Sequence, residues 1–239
     1  RSTLSNCLDQ SIVTCFKIWS NSDAILRKEQ SEQDLQDGYQ SLKYQSIKLK
    51  HKSKQLFESI FDIEPIQVLK KLVLINSGQE TNIGLLDEDI NVFKLLHALD
   101  GTRPQLTMPK IFRLFHSPNS QPHAVEVTRF LNSYTSTLQA DSIEDVFGLT
   151  VSFLKDIIAS DDVNILVLFN LLKFISILNA KLSHCKFGHE KQVKKEIYDL
   201  FVKLLPQTLS SKSNSEILLA SSMDINDSMS EKASENKDG

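Results

Sequence analysis

Residues 92–115 read VFKLLHALDGTRPQLTMPKIFRLF and hold two apolar helical patterns joined by a sharply punctuated turn. Apolar residues recur at steps of three and four on both sides of the turn, which is the spacing of one buried helix face. Asp100 and Gly101 are expected to end the first helix, because glycine adopts the left-handed C-terminal conformation at little cost. Pro104 stiffens the link, and Thr107 is placed to cap the second helix. The stretch predicts two consecutive helices and carries no chemistry of its own.

The same helical spacing recurs along most of the chain. It predicts helices over about residues 3–19, 41–61, 64–76, 87–100, 107–115, 125–138, 141–157, 161–185 and 193–206. Polar residues are placed to cap or open several of them: Asp87 or Asp89 for the fourth, Asp141 or Ser142 for the seventh, Asp161 and Asp162 for the eighth. No stretch alternates between apolar and polar residues with turn residues at both ends, so strands are not predicted. The predicted fold class is all-α.

The predicted helices are arranged as one domain followed by a tail. Residues 1–209 are expected to form a helical-repeat-like domain with a mobile polar loop at about residues 20–40. Short polar turns, and one helix that is apolar on almost every side, fit stacked antiparallel helix pairs in a degenerate HEAT/armadillo-like solenoid. No motif repeats at a fixed period, so this expectation rests on helix pairing. Residues 210–239 are polar with few aromatics and are predicted to be a disordered tail.

Composition narrows the class of protein further. The formal net charge of −3 gives no global attraction to nucleic acid or an anionic membrane, so such binding needs a local patch. Cys7, Cys15 and Cys185 are odd in number and lack CxxC spacing, which favours a reducing cytosolic setting over a disulfide framework. The chain begins at Arg1 without an initiator Met or an apolar leader, as expected of an internal fragment. The apolar run at residues 163–178 is too short, and contains too many polar residues, for a membrane span of about 20 apolar residues. It predicts a buried central helix instead.

Motifs that carry chemistry are sparse. His184, Cys185 and His189 are zinc-ligand types, but a structural zinc site needs four ligands and no fourth stands nearby. The chain contains no GxxxxGK[ST], GxGxxG or HExxH motif, and no nucleophile elbow. Acidic pairs lie at predicted helix starts, where the helix dipole explains them. An enzyme, a cofactor and a metal are therefore not expected.

Lysines concentrate in one predicted helix, at Lys43, Lys48, Lys50, Lys52 and Lys54. On a helix they spread over more than one face, with Lys43, Lys50 and Lys54 roughly together. One interpretation is contact with anionic lipid headgroups or an acidic partner, worth up to about 1 kcal/mol per lysine near a charged membrane. The other is a solvated helix face, which the acidic balance of the chain favours. Nucleic acid is not expected, because no aromatics interleave with the lysines as a stacking platform.

Several longer stretches carry a resemblance. They are SLKYQSIKLKHKSKQLFESIF at residues 41–61, FLNSYTSTLQADSIEDVFGLTVSFLKDII at 130–158 and NAKLSHCKFGHEKQVKKEIYDLFVKLL at 179–205. These stretches and the opening one, taken in order, resemble the Dopey family, which consists of large helical proteins of fungi and animals. The most specific part of the resemblance is HALDGTRP at residues 97–104. The likeness spans most of residues 1–210.

The resemblance implies an internal piece of a much longer, non-catalytic peripheral membrane protein. Such proteins act in endosome-to-Golgi vesicular traffic and cell morphogenesis, on the cytoplasmic side of Golgi and endosome membranes. The implied partners are a large scaffold related to Arf exchange factors and an aminophospholipid flippase, with peripheral contact to anionic membrane lipids as a further expectation. No binding residue of the family is carried over to this chain.

Two other hypotheses stay open at this point. One is a helical-repeat scaffold of another assembly, such as ribosome biogenesis or the nuclear pore. The other is an enzyme whose site is completed elsewhere in a longer chain, which requires a deep pocket with perturbed titratable groups.

Overall fold

The structure is a computed structural model and describes residues 2–31, 38–79, 92–116, 122–160 and 163–209. Within these ranges the chain is helical and contains no strand, which confirms the all-α prediction. The helices are α1 (Ser2–Ser31), α2 (Gly38–Ile63), α3 (Pro65–Asn76), α4 (Val92–Asp100), α5 (Pro104–Phe115), α6 (Ala124–Thr137), α7 (Ala140–Ile158), α8 (Ile165–Leu182) and α9 (residues 191–209), with a 3-10 turn at Phe187–His189 before α9. The predicted disordered tail at residues 210–239 lies outside the described residues and stays a prediction.

The helices stack in two layers. Helix α1 contacts α3, α3 contacts α5 and α5 contacts α7, while α2 contacts α4 and α6 contacts α8. Consecutive helices such as α1 and α2, or α7 and α8, also pack together and join the layers. Contact with both the next helix and the next but one is the arrangement of a helical solenoid, which agrees with the predicted stack of helix pairs.

The mobile loop predicted at about residues 20–40 is wrong over residues 20–31 and 38–40, which belong to α1 and α2. Residues 32–37 lie outside the described part of the chain. Ser20 and Ser22 are buried and continue the inner stripe of α1 beyond Phe16 and Trp19. Their polar composition suggested a loop, but small side chains on an inner face let two helices approach closely. The α1–α2 pair has the most extensive packing among the described helices.

The helix boundaries confirm some of the predicted helix ends and contradict others. Helix α3 begins at Pro65 and ends before Gly78, whose φ of +73° is left-handed, as predicted. Asp141 and Ser142 do not cap α7, because that helix begins one residue earlier at Ala140. The cap of α8 is Asn164, whose side chain accepts a hydrogen bond of 2.8 Å from the Leu166 backbone N–H. Asp87, Asp89, Asp161 and Asp162 lie outside the described residues.

The prediction that the last helix stops near Pro206 is wrong, because α9 continues to residue 209. A proline inside a helix removes one backbone hydrogen bond, so the extra turn needs other support. The Gln207 side chain donates a hydrogen bond of 3.0 Å to the Ile158 carbonyl at the end of α7. The buried Thr208 hydroxyl donates to the Leu204 carbonyl at 3.0 Å. The Gln207 contact holds the last turn against α7, and the Thr208 contact lies within α9 itself.

The turn in the opening stretch is built around the Asp100 carboxylate, which is only 1% exposed. One carboxylate oxygen, Oδ2, accepts hydrogen bonds from the Thr107 hydroxyl at 2.8 Å and the Tyr134 hydroxyl at 2.7 Å. The other, Oδ1, accepts from the Thr102 backbone N–H at 2.8 Å. Gly101 and Thr102 both have positive φ, of 62° and 60°, which turns the backbone around the carboxylate. We refer to Asp100, Thr102, Thr107 and Tyr134 as the Asp100 cluster.

The prediction that Thr107 caps α5 is wrong. Helix α5 begins at Pro104, so Thr107 lies within its first turn and is fully buried. Its hydroxyl bonds to the Asp100 side chain and not to a backbone N–H at the helix start. Burial and the neighbouring Asp100 charge raise the pKa of Tyr134 well above its usual value, which keeps the phenol a neutral donor. The cluster therefore ties α4, α5 and α6 together.

Helix α8 is the one helix in the described part of the chain that is long and apolar enough by composition to cross a membrane. Its inner face lies in the core through Val167, Leu168, Leu171, Phe174, Ile175, Leu178 and Leu182. Asn132 of α6 donates a hydrogen bond of 3.0 Å to the Asn170 carbonyl, and Lys181 donates to the Ser136 and Leu138 carbonyls at 2.8 and 2.7 Å. These contacts support its interpretation as a central core helix.

Candidate functional site

The lysines of α2 fall on two sides of the helix. Lys48 and Lys52 are exposed, one turn apart, and form what we call the outer basic face. Lys50 and Lys54 are half-buried and turn toward α1 and α4. Lys43 is also exposed; it lies two turns before Lys50 on the same side of the helix and does not line the groove that Lys50 and Lys54 share. The run thus divides into a solvent-facing set and a set that belongs to a concave site.

Lys50 and Lys54 have defined partners. The Lys50 ammonium lies 5.5 Å from the centroid of the Trp19 ring, within the range of a cation–π contact. Lys54 forms an ion pair of 3.1 Å with Glu58, one helical turn further along α2. Water reaches both side chains of that pair, which are 38% and 41% exposed, so its contribution to stability is small.

A groove lies between α1, α2 and α4, and we call it the Trp19 groove. Its volume is about 420 Å³, and its apolar floor consists of Trp19 and Leu26 of α1, Ile47 of α2 and Ala98 of α4. Lys50, His51 and Lys54 of α2 and Lys94 of α4 complete the lining. The volume falls in the usual range of ligand pockets, and the apolar floor can bury an apolar group of a ligand.

Sequence patterns did not lead to Lys94, Trp19 or Ala98 as members of a site. Apolar spacing in α4 places Leu95 and Leu96 in the core, which leaves Lys94 and Ala98 together on another face. Trp19 was expected to be a packing residue, and it is 2% exposed. Nothing in the local sequence indicates that α4 comes to face α2, since residues 50 and 94 are distant along the chain.

Comparison with known proteins gives independent evidence on the family of this chain. The family profile described as DOP1 C-terminal matches residues 130–237. Protein dop1 of Emericella nidulans is 27% identical over 229 residues and covers 89% of this chain. Protein DOP1 of Saccharomyces cerevisiae is 24% identical over 235 residues and covers 86% of the chain. The chain belongs to the Dopey family.

This Dopey-family chain is short beside its relatives. It spans 12% of the length of the Emericella protein and 13% of the yeast protein, about an eighth of each. Neither relative carries an enzyme name. No solved structure matches the chain.

Other candidate centres in the Dopey-family chain do not assemble into a site. His184 and His189 are exposed, and the buried Cys185 thiol donates a hydrogen bond of 3.3 Å to the Leu182 carbonyl. No group of three or more His, Cys, Asp or Glu side chains in the described ranges could hold a metal ion. All three cysteines are free, with Cys7 exposed and Cys15 buried. Burial raises the pKa of the Cys15 thiol and thereby makes it less nucleophilic.

The Asp100 cluster is a structural element and not a reaction centre. Its carboxylate and phenol are buried and bonded to each other. A general acid or base has to reach the proton that it transfers. The Trp19 groove is therefore the best-defined candidate binding site in the described part of the chain.

Proposed function

We propose that this chain is a non-catalytic helical scaffold segment of a peripheral membrane protein in endosome-to-Golgi vesicular traffic and cell morphogenesis. The observation that carries the proposal is a two-layer helix stack in a Dopey-family chain. Stacked helices offer long continuous surfaces, which suit the assembly of partners. The site that we can define is a binding groove with an apolar floor.

The proposal includes a location and partners. We place the parent protein on the cytoplasmic side of Golgi and endosome membranes, bound to a large scaffold related to Arf exchange factors and to an aminophospholipid flippase. These partners follow from the family resemblance alone. Lys43 and the outer basic face offer contacts for anionic lipid headgroups, because these three lysines are exposed on one helix.

Deleting residues 1–209 from the full-length parent protein should reduce its Golgi and endosome localisation and slow the recycling of endosomal cargo to the Golgi. The expected cause is loss of a partner-binding surface. Fluorescence microscopy of the tagged parent and a cargo-recycling assay measure both effects, with expression levels matched by immunoblot. The Gly148→Ala parent serves as a folded control, since that exposed position has nothing within 4 Å of an added Cβ. Unchanged localisation and sorting, with ribosomal precursors or nucleoporins captured by the segment, would point to a different assembly.

Reversing Lys43 and the outer basic face with Lys43→Glu, Lys48→Glu and Lys52→Glu should weaken binding to phosphatidylserine-containing vesicles at low salt. The expected loss is roughly fivefold for each lysine, from about 1 kcal/mol per cation near an anionic surface. Vesicle flotation measures it, and added salt should shrink the difference. A matched control reverses Lys191, Lys194 and Lys195 on the exposed side of α9. Equal binding of the parent chain and the α2 variant would mean that the outer basic face is only solvated.

A further inference from the structure

Helix α9, the last described helix of the stack, is apolar over two adjoining sides. One side carries Val193, Leu200 and Leu204, which are buried in the core. The other side carries apolar residues at steps of three and four that remain exposed to water. We call them the outer stripe of α9: Tyr198 (67% exposed), Phe201 (38%), Val202 (46%), Leu205 (38%) and Leu209 (60%).

The outer stripe continues into a cavity between α8 and α9. The cavity has a volume of about 260 Å³, and its lining includes Ile175 of α8 with Ile197, Tyr198 and Phe201 of α9. Tyr198 and Phe201 thus belong both to the exposed stripe and to a concave site that can receive a side chain. An apolar surface at the end of a helix stack needs a cover, because terminal repeats otherwise present a polar outer face to water.

We propose that the outer stripe of α9 is covered by residues 217–225 of the same chain, which read ILLASSMDI. These residues lie outside the described part of the chain. The average composition of residues 210–239 predicts a disordered tail, but every Ile, Leu and Met of that tail lies between residues 217 and 229. The apolar surface needed to cover the stripe is therefore concentrated in one short segment. This inference goes beyond the scaffold role, since it concerns a contact of the chain with itself.

The segment is near enough to reach the whole stripe. The outer stripe extends from Leu209 back to Tyr198, about 17 Å along the helix axis. Residues 210–216 read SSKSNSE and span up to about 23 Å when extended. Serine and asparagine favour turns, which is the chemistry that a reversal of the chain after α9 requires.

Charge and tethering favour this occupant over a second copy of the chain. Residues 213–231 contain four acidic residues and no Lys or Arg, whereas α9 contains four lysines and two acidic residues. One of those two, Glu196, is already paired with Lys155 of α7 at 2.7 Å. The short connection also gives the segment an effective concentration in the millimolar range, which a second copy does not reach in dilute solution. The DOP1 C-terminal profile spans both α9 and the segment.

Disulfide trapping in the 239-residue chain tests the contact directly. Cys7 is exposed and is first replaced with serine, which leaves the buried Cys15 and Cys185. Under mild oxidation, Val202→Cys with Leu219→Cys should form an intramolecular disulfide at least about tenfold faster than Lys203→Cys with Leu219→Cys. Positions 202 and 203 are both exposed and differ by one residue in loop length, so an undocked tail would reach them at nearly equal rates. Non-reducing gels and mass spectrometry measure the rates.

Proteolysis tests the same contact from the side of α9. Val202→Ser with Leu209→Ser should raise chymotrypsin cleavage within residues 217–225 about fivefold or more, because cleavage follows the undocked fraction. Leu149→Ser is the matched control, since Leu149 is an apolar residue of α7 that is 45% exposed and should leave the rate within about twofold. Cleavage after Met229, outside the segment, provides an internal reference. Circular dichroism confirms that each variant is folded, which the exposure of all three substituted positions favours.

Three outcomes would overturn the proposal. The first is equal trapping of residue 219 by cysteines at positions 202 and 203. The second is equal cleavage of the α9 variant and the Leu149→Ser control. The third is a disulfide-linked dimer of the Val202→Cys, Leu219→Cys chain that forms faster at higher protein concentration, which would assign the outer stripe to a second copy. All three can be scored without a sorting assay, so failure of the proposed trafficking role leaves them unaffected.

Discussion

Replacing Gly188 with alanine should destabilise the domain by about 3 kcal/mol or more, one of the two largest effects that we expect from a single substitution. Gly188 is buried in the 3-10 turn that follows α8. A Cβ at this position would overlap the Leu182 carbonyl oxygen and lie 2.5 Å from the Leu182 carbonyl carbon. Backbone atoms cannot rotate away as a side chain can, so the turn itself must move.

The turn has a packing role that explains the cost of moving it. Phe187 meets Phe147 of α7 edge to face, with ring centroids 5.3 Å apart. Close approach of Gly188 to the end of α8 thus lets the chain reverse toward α9 while Phe187 stays on α7. Displacing the turn would separate these rings and open the packing at the end of α8.

Gly148→Ala is the matched control for Gly188→Ala. Gly148 is exposed inside α7, and an added Cβ meets nothing within 4 Å. Alanine is favoured over glycine in a helix interior, so this variant should gain about 0.5–1 kcal/mol. Urea denaturation of the two variants should give shifts of opposite sign at an unchanged m-value. Equal midpoints for both would refute the close-approach argument.

Replacing Asp100 with alanine should cost about 3 kcal/mol, the second large effect. The change leaves the Thr107 and Tyr134 hydroxyls in the core without their acceptor, along with the Thr102 backbone N–H. Each buried donor left without a partner costs about 1–3 kcal/mol, and loss of the buried charge offsets part of the sum. Thermal denaturation should show a fall of roughly 6–12 °C for a domain of this size.

A double-mutant cycle separates the hydrogen bond from other effects of the Asp100 change. Tyr134→Phe should cost about 1–2 kcal/mol alone, and clearly less in the Asp100→Ala background, because the shared bond is already lost. Asp145→Ala, at an exposed position of α7, should stay within about 0.5 kcal/mol of the parent chain. Strict additivity of the two cluster substitutions would mean that their hydrogen bond does not contribute.

Some helix ends could be predicted from local residues, whereas others depend on contacts with distant helices. The ends of α3 and α4 were predictable, because Pro65, Gly78 and Gly101 act through their own backbone preferences. The continuation of α1 beyond residue 20 was not, since buried serines have the composition of a loop until α2 is known to cover them. The last turn of α9 likewise depends on Gln207 reaching α7.

The candidate site was predictable only in part. The lysine run drew attention to α2, and helical spacing placed Lys43 on the same side as Lys50 and Lys54. The structure separates the half-buried pair from the outer basic face, because only one side of α2 meets α1 and α4. Lys94 had no local signal, since its role arises from the packing of α4 beside α2.

The resemblance of the quoted stretches to the Dopey family was readable from the sequence and agrees with the family profile. The sequence by itself also determined the all-α class and most helix positions, because helical spacing and turn residues act over a few neighbouring positions. Residues 92–115 predicted their own turn for this reason. Only the tertiary structure decided what that turn is for: Tyr134, 34 residues beyond Asp100, completes a buried cluster that joins α4, α5 and α6. The Trp19 groove has the same origin, since its floor and rim come from helices that meet only when the layers stack.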